Sequence, residues 1–254
     1  MIKALFISQW YPNRYDLMAG LFVQKHAEAV SLYCDVKVLY VHADENIDKF
    51  ETEKKTHNNN LTELIVYYPC KKDKAFYKIY KTINYIKAYQ TGFKLLEKEN
   101  FKPDIIHANI LTRTGLIAYF IKLTKGIPYV ITEHWSRYLP SRNTYSGTVR
   151  KLITRLVVKN AEAILPVSKN LENAMLSHNL FNRNYRVVNN VVDNFFFNEA
   201  LPVHRTKKRI LHVSCFDELA KNVKGIIRAT YELSKNRQDF ELILIGTGID
   251  FEDV

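Results

Sequence analysis

Short apolar runs alternate along this chain with longer stretches whose apolar residues recur every three or four positions. Residues 4–7, 36–41, 64–68, 129–132 and 163–167 are runs rich in β-branched and aromatic side chains, and 104–107 opens another. Such runs predict buried strands. Helical spacing predicts helices from about Phe22 and over 74–99, 114–125, 146–159 and 169–177. The polar stretch 44–60 reads as a mobile loop, and 186–188 as a last short strand. In the 74–99 helix, Phe76, Ile79, Ile83, Ile86 and Phe93 form the apolar stripe expected to face the sheet. Lys74, Lys78, Lys81 and Tyr85 then fall together on the opposite face, with Tyr77 beside them.

Apolar strands alternating with amphipathic helices predict an α/β fold, a doubly wound parallel sheet covered on both faces. Ligands of such sheets bind beyond the carboxyl ends of the strands. That directs attention to 9–20, 107–114, 133–145 and Ser168. After Asp193 the alternation pauses, and 201–208 reads as a polar, basic linker. A second cycle follows: strand 210–213, helix 225–233, strand 240–245 and the turn Gly246-Thr-Gly248. The expected organisation is a first Rossmann-like domain over 1–200, the linker 201–208, and the start of a second over 209–254. Only 46 residues remain from Arg209 onward. They suffice for two strands and a helix, whereas such a domain has about five or six strands.

Composition narrows the class. The chain is 47% hydrophobic, 25% charged and 13% aromatic, which excludes a disordered, collagen-like or coiled-coil protein. No apolar run approaches the ~20 residues of a membrane helix, and the N-terminus lacks signal-peptide character, so the cytoplasm is the expected compartment. Cys34, Cys70 and Cys215 are widely spaced and signal neither a zinc site nor disulfides. The net charge of +11 favours phosphate-bearing partners. More than half of it lies between Lys71 and Lys98, where eight lysines meet two acids.

Gly20 follows the first strand and opens the first helix, where free N–H groups and the helix dipole favour an anion. G-x-G-x-x-G and G-x-x-x-x-G-K-S/T patterns are absent, which disfavours a nicotinamide dehydrogenase and a P-loop nucleotidase. His107 and His134 each end a strand, and two imidazoles at the mouth of one sheet could meet a phosphate or a sugar hydroxyl. Glu133 has no partner at metal-ligand spacing. Gly246 and Gly248 could approach a nucleotide, and Asn189, Asn190 and Asp193 suit a turn.

Six segments in order resemble glycosyltransferase family 4 of the GT-B enzymes. They are Trp10-Tyr-Pro with Ala19-Gly-Leu-Phe-Val23; Asp104-Ile-Ile-His-Ala-Asn109; Pro128-Tyr-Val-Ile-Thr-Glu-His134; Ala161-Glu-Ala-Ile-Leu-Pro-Val-Ser168; Val188-Asn-Asn-Val-Val-Asp193; and Ile210-Leu-His-Val-Ser with Lys221-Asn-Val-Lys-Gly225. The resemblance implies transfer of a sugar from a nucleotide-diphosphate sugar with retained configuration, and neither cofactor nor obligatory metal. It implies an acceptor on the first domain and the nucleotide on the second. It assigns Lys221 to the leaving diphosphate, with the Gly20 N–H across the cleft, and makes Lys224 a weaker candidate. His107 and His134 become catalytic candidates, and Ser168, Gly246 and Gly248 donor-binding ones.

The chain also departs from the family pattern. Cys215 stands where an arginine is usual, Asn109 where many members have a second histidine, and Asn190 where they have glycine. The family's paired glutamates fall beyond Val254, and Glu252 comes too early to be either. The chain alone is therefore expected to be inactive. The competing readings are an acceptor-binding or membrane-surface module without catalysis, and a basic nucleic-acid module. The βα alternation offers no RNA-recognition, helix-turn-helix or OB pattern for the last of these. A lysine face at Lys74, Lys78 and Lys81 would suit an anionic membrane and a lipid-linked glycan acceptor.

Overall fold

A computed structural model describes residues 1–58, 60–71, 76–142, 144–198 and 206–254. It divides into two compact units, Met1–Asp193 and Asn194–Val254. Of the expected 201–208 linker, residues 201–205 lie outside the described ones, as does Lys74.

The first unit is built on strands β1 (Lys3–Ser8), β2 (Asp35–Asp44), β3 (Glu51–Asn58), β4 (Leu61–Pro69), β5 (Ile105–Asn109), β6 (Tyr129–Glu133) and β7 (Ala163–Pro166). Helices α1 (Leu21–Ser31), α2 (Tyr77–Lys98), α3 (Thr114–Lys125), α4 (Thr148–Asn160) and α5 (Lys169–Ser177) connect or follow them. The sheet order is β3-β4-β2-β1-β5-β6-β7, parallel throughout except for β3. Because β1 lies between β2 and β5, the winding reverses there, and a crevice opens beyond its carboxyl end.

Successive residues of β1 feed two cores. Leu5 and Ile7 join Leu39, Val66, Ile106, Ile131, Ala88 and Val157 on one face. Ala4 and Phe6 join Val36, Val38, Ile65 and α1's Val23 and Ala27 on the other. Burial on both faces explains why these strands read as unbroken apolar runs rather than alternating ones.

Three expectations need correction here. The stretch taken as a mobile loop contains β3, which pairs antiparallel with β4. Its polar sequence from Glu51 to His57 suits an exposed edge and therefore carries no apolar alternation. Residues 186–188 do not form a strand. Tyr185 makes a single bridge to Ile164, and the Arg186 and Val188 amides donate to Ile164 and Pro166, after which the chain leaves the sheet.

The third correction concerns α2, whose face is inverted. Asn84, Ala88, Tyr89, Gly92 and Leu96 are buried, and Tyr77, Tyr85 and Phe93 pack against the core. Ile79, Ile83 and Ile86 remain 58%, 46% and 52% exposed, and Phe76 just before the helix is exposed too. Lys81 is half-buried beside Tyr77, so Lys78 and Lys81 do not share a solvated face. Two stripes of the same period run along this helix. Small residues let the aromatic one seat closely on the sheet, and hydrophobicity alone selects the wrong phase.

The second unit contains the parallel pair β8 (Lys208–Val213) and β9 (Phe240–Ile245), the short α6 (Glu218–Lys221) and the amphipathic α7 (Val223–Ser234). The four-residue α6 is absent from the sequence expectation. Asp217 caps it, its carboxylate accepting from the Ala220 amide.

Candidate active site

The turn after β1 starts at Ser8, whose hydroxyl donates to the Trp10 carbonyl at 2.6 Å. The chain returns to α1 through Gly20 at φ 62° and ψ 24°, in the left-handed region. A Cβ at Gly20 would overlap the Trp10 carbonyl group and lie 2.7 Å from the Tyr11 nitrogen. The glycine thus lets the loop fold back onto its own start, leaving the α1 N-terminus at the strand ends.

Aromatic rings wall this crevice. Trp10 meets Trp135 at 5.1 Å and Phe22 at 6.5 Å between centroids, and Phe22 lies 4.4 Å from the His134 ring. The Arg137 guanidinium stacks 3.5 Å from the Trp135 centroid. His107 sits on β5 with its ring 4.2 Å from Phe6 and its Nε2 2.6 Å from the Thr132 hydroxyl. Burial, with smaller repulsion from His26 and His134, lowers its pKa to about 3. Burial, with some help from His26, also lowers His134 to about 3. Neither ring nitrogen of His134 has a hydrogen-bond partner among the described residues. Both imidazoles are therefore neutral at pH 7, able to exchange a proton or hydrogen-bond a hydroxyl but not to supply fixed positive charge.

Sequence reasoning missed one residue here and the role of another. His26, on α1, lies 5.6 Å from His134, and its Nε2 is 3.2 Å from the Asn190 Oδ1. A histidine inside a helical pattern gives no sequence signal of such a role. Glu133 is the other, and its work is architectural. It accepts from the amides of Leu111 at 2.9 Å, His134 at 3.0 Å and Trp135 at 2.8 Å. Burial pushes its pKa up to about 7 against the pull of those three donors. The carboxyl thus ties the loops after β5 and β6 together beneath the histidines.

Ser168 follows β7, where its hydroxyl caps α5 by accepting from the Leu171 amide at 3.2 Å. Asn189 donates to the Val167 carbonyl at 3.0 Å, and Asp193 pairs with Lys25 of α1 at 3.2 Å. The 189–193 turn is thereby tied both to β7 and to the helix bearing His26. Among the described residues, no three His, Cys, Asp or Glu side chains gather as metal ligands.

The other candidates belong to the second unit. Lys221 ends α6 and is exposed, whereas Lys224 begins α7 half-buried, its amide donating to the Glu218 carboxylate at 3.1 Å. Gly246 and Gly248 press against the loop after β8. A Cβ on Gly246 would overlap the Ser214 carbonyl oxygen, and one on Gly248 would lie 2.5 Å from the Phe216 nitrogen. Their smallness thus has a purpose within the unit, since the Phe216 amide donates to the Thr247 carbonyl across the same contact at 2.8 Å. Cys215 is exposed in this loop.

The sequence model of Glycosyltransferase Family 4 matches residues 28–194. The chain belongs to glycosyltransferase family 4. This family 4 chain is 30% identical over 124 residues to an uncharacterized glycosyltransferase of Methanocaldococcus jannaschii, a match covering 48% of the chain and 34% of that relative. Among solved structures it resembles Anabaena HepE, determined in complex with UDP, with a TM-score of 0.63 at 10% identity over all of the chain and 64% of that protein. Sucrose-phosphate synthase from Thermosynechococcus elongatus gives 0.61 at 16% identity, over 96% and 62%. The lipopolysaccharide outer core galactosyltransferase WaaB gives 0.60 at 14%, over 99% and 63%. These likenesses establish a GT-B-type fold with a partial second unit. The family 4 chain spans less than two thirds of each of these proteins.

Proposed function

We propose that this protein transfers a sugar from a nucleotide-diphosphate sugar to an acceptor, with retained configuration and no metal. The observation that carries the reading is the β1–β5 crevice, where Gly20, His107 and His134 meet the helix α1 N-terminus in a chain of this family. The acceptor hydroxyl would enter beside two neutral imidazoles, and the donor nucleotide would bind the second domain. Lys221, with the Gly20 N–H, would stabilise the charge developing on the leaving diphosphate. Ser168, Gly246 and Gly248 act through backbone placement of the loops around the donor, and Lys224 is secondary. We place the reaction in the cytoplasm.

Calorimetry with UDP, GDP and ADP sugars tests donor binding by the 254-residue chain, which we expect to lack turnover. Lys221→Ala should weaken nucleoside-diphosphate binding at least tenfold, the size of one charge-assisted hydrogen bond. Lys224→Ala should change it less than threefold. No saturable binding of any nucleotide sugar at millimolar concentration would leave the acceptor-binding module without catalysis as the better reading.

One observation favours work at a membrane surface. Among the described residues no helix is long and apolar enough to cross a bilayer. However, exposed Phe76, Ile79, Ile83 and Ile86 are flanked by exposed Lys78 and Lys87 on α2. Apolar side chains bordered by cations fit an anionic leaflet, on which a lipid-linked glycan acceptor for surface polysaccharide would reside. Sedimentation with anionic vesicles should show salt-sensitive binding that Ile83→Glu with Ile86→Glu abolishes. Unchanged binding by that variant removes this face from the reading.

A further inference from the structure

On the β2 side of β1 lies a second cavity, of about 230 Å³, at the carboxyl ends of β1, β2 and β4. Gln9, Tyr40, His42, Lys81, Tyr85 and Arg113 are among the residues that line it. Its charge is one-sided. Lys81 reaches only the Tyr77 hydroxyl, at 3.4 Å, and among the described residues neither Lys81 nor Arg113 has an ion-pair partner. The carboxylate nearest in sequence to His42 is already engaged, because Asp44 holds Arg14 at 2.5 Å and the Tyr15 hydroxyl at 2.5 Å. The inward stripe of α2 brings Lys81 here, and its charge acts on His42. That of Arg113 acts on Tyr68 and Tyr85.

Gln9, which lines the cavity, also carries an unmet hydrogen-bonding group. The Gln9 Oε1 is buried with no partner among the described residues, and an amide oxygen accepts only from a donor such as a hydroxyl. The Tyr40 hydroxyl is 3.0 Å from the His42 Nδ1, and burial pushes the Tyr40, Tyr68 and Tyr85 phenols up, so all three remain protonated. Two cations without ion-pair partners among the described residues thus line a small polar cavity with neutral hydroxyls and Gln9, and none of its described lining residues is a carboxylate.

We propose that this cavity binds a phosphate group on the acceptor, with Lys81 and Arg113 taking the phosphate and Gln9 a neighbouring hydroxyl. The proposal rests on the reading of the first unit as the acceptor side, and it names the acceptor class as a phosphorylated sugar or polyol. The phosphate could belong to a soluble sugar phosphate or to a lipid headgroup, and the recognition chemistry is common to both.

The test is titration of the 254-residue chain, followed by calorimetry or NMR, with glucose 6-phosphate, glucose, inorganic phosphate and soluble dihexanoyl phosphatidic acid. Glucose 6-phosphate or the short lipid should bind saturably, and glucose at least tenfold more weakly. Tighter binding of one phosphate ester over the other identifies the source. Lys81→Gln and Arg113→Gln should each weaken phosphate-ester binding about tenfold or more while leaving UDP affinity unchanged. Circular dichroism matching the parent's would show that the variants fold. Variants that bind the ester as the parent does would overturn the proposal, and so would displacement of the ester by UDP. Ester binding without UDP binding would instead count against the donor reading and leave this one standing.

Discussion

Stability should fall as the pH drops below about 6.5, because His107 and His134 are neutral when folded and protonated when unfolded. Their folded pKa values lie near 3, lowered chiefly by burial. The sign follows from proton counting. Between about 3 and the unfolded value near 6.5, the unfolded chain binds protons that the folded one excludes. Each such site removes up to about 1.4 kcal/mol per pH unit of acidification. His26 and His42 are lowered in the same direction. Glu133 opposes them. Raised to about 7, it holds a proton in the folded state from its ordinary range upward, so its contribution weakens as pH rises to 7. The maximum should therefore lie near pH 6.5–7, and urea unfolding between pH 4.5 and 8 locates it. His107→Gln, which can keep a bond to Thr132, should flatten the acid limb by close to one proton. An unchanged slope in that variant would show that His107 is protonated in the fold.

Gly20→Ala should lower stability by about 2–5 kcal/mol. A left-handed backbone adds about 1–2 kcal/mol for any residue with a Cβ. Overlap in a packed site adds roughly 1–3 kcal/mol or more. Here the overlap is with the Trp10 carbonyl and the Tyr11 nitrogen, main-chain atoms that no rotamer change can move aside. Gly126→Ala provides the comparison, since Gly126 has φ 71° but open space where a Cβ would stand. It should lose only the backbone part, ~1 kcal/mol. Thermal melts of both variants separate the two effects. With a shift of about 2–4 °C per kcal/mol, Gly20→Ala should melt roughly 4–20 °C below the parent. Equal shifts in the two variants would mean that the loop after β1 relaxes, and that its close return is not required.

The sheet was legible in the sequence wherever its strands are buried on both faces. Residues 4–7, 36–41 and 129–132 fall inside β1, β2 and β6 because apolar density leaves few alternatives. β3 was not legible, since an exposed edge strand satisfies its backbone without burying side chains. The phase of α2 was misread for a related reason. Isoleucine has the larger transfer energy, but Ala88 and Gly92 permit a closer approach to the sheet, and contact decided the outcome. At the site, His134 could be found because it directly follows β6 and Gly20 because it opens α1, whereas His107, expected to end a strand, lies within β5. His26 and Asn190 meet only after the chain returns from β7, 164 residues apart, and no local pattern encodes that meeting. Glu133 was visible but its role was not, because the amides it gathers come from two loops.

The β3 strand also bears on how copies of the chain meet. A sheet margin offers unpaired amides and carbonyls to any extended segment that drifts past, including another molecule's margin. At this margin the approaching segment encounters Glu51, Glu53, Lys54 and Lys55 within five residues, all exposed. An identical strand adding antiparallel or parallel brings like charges together in several registers, and any strand must desolvate them. The polar stretch that conceals β3 from sequence reading is thus the same feature that discourages pairing of this edge with another molecule's strand.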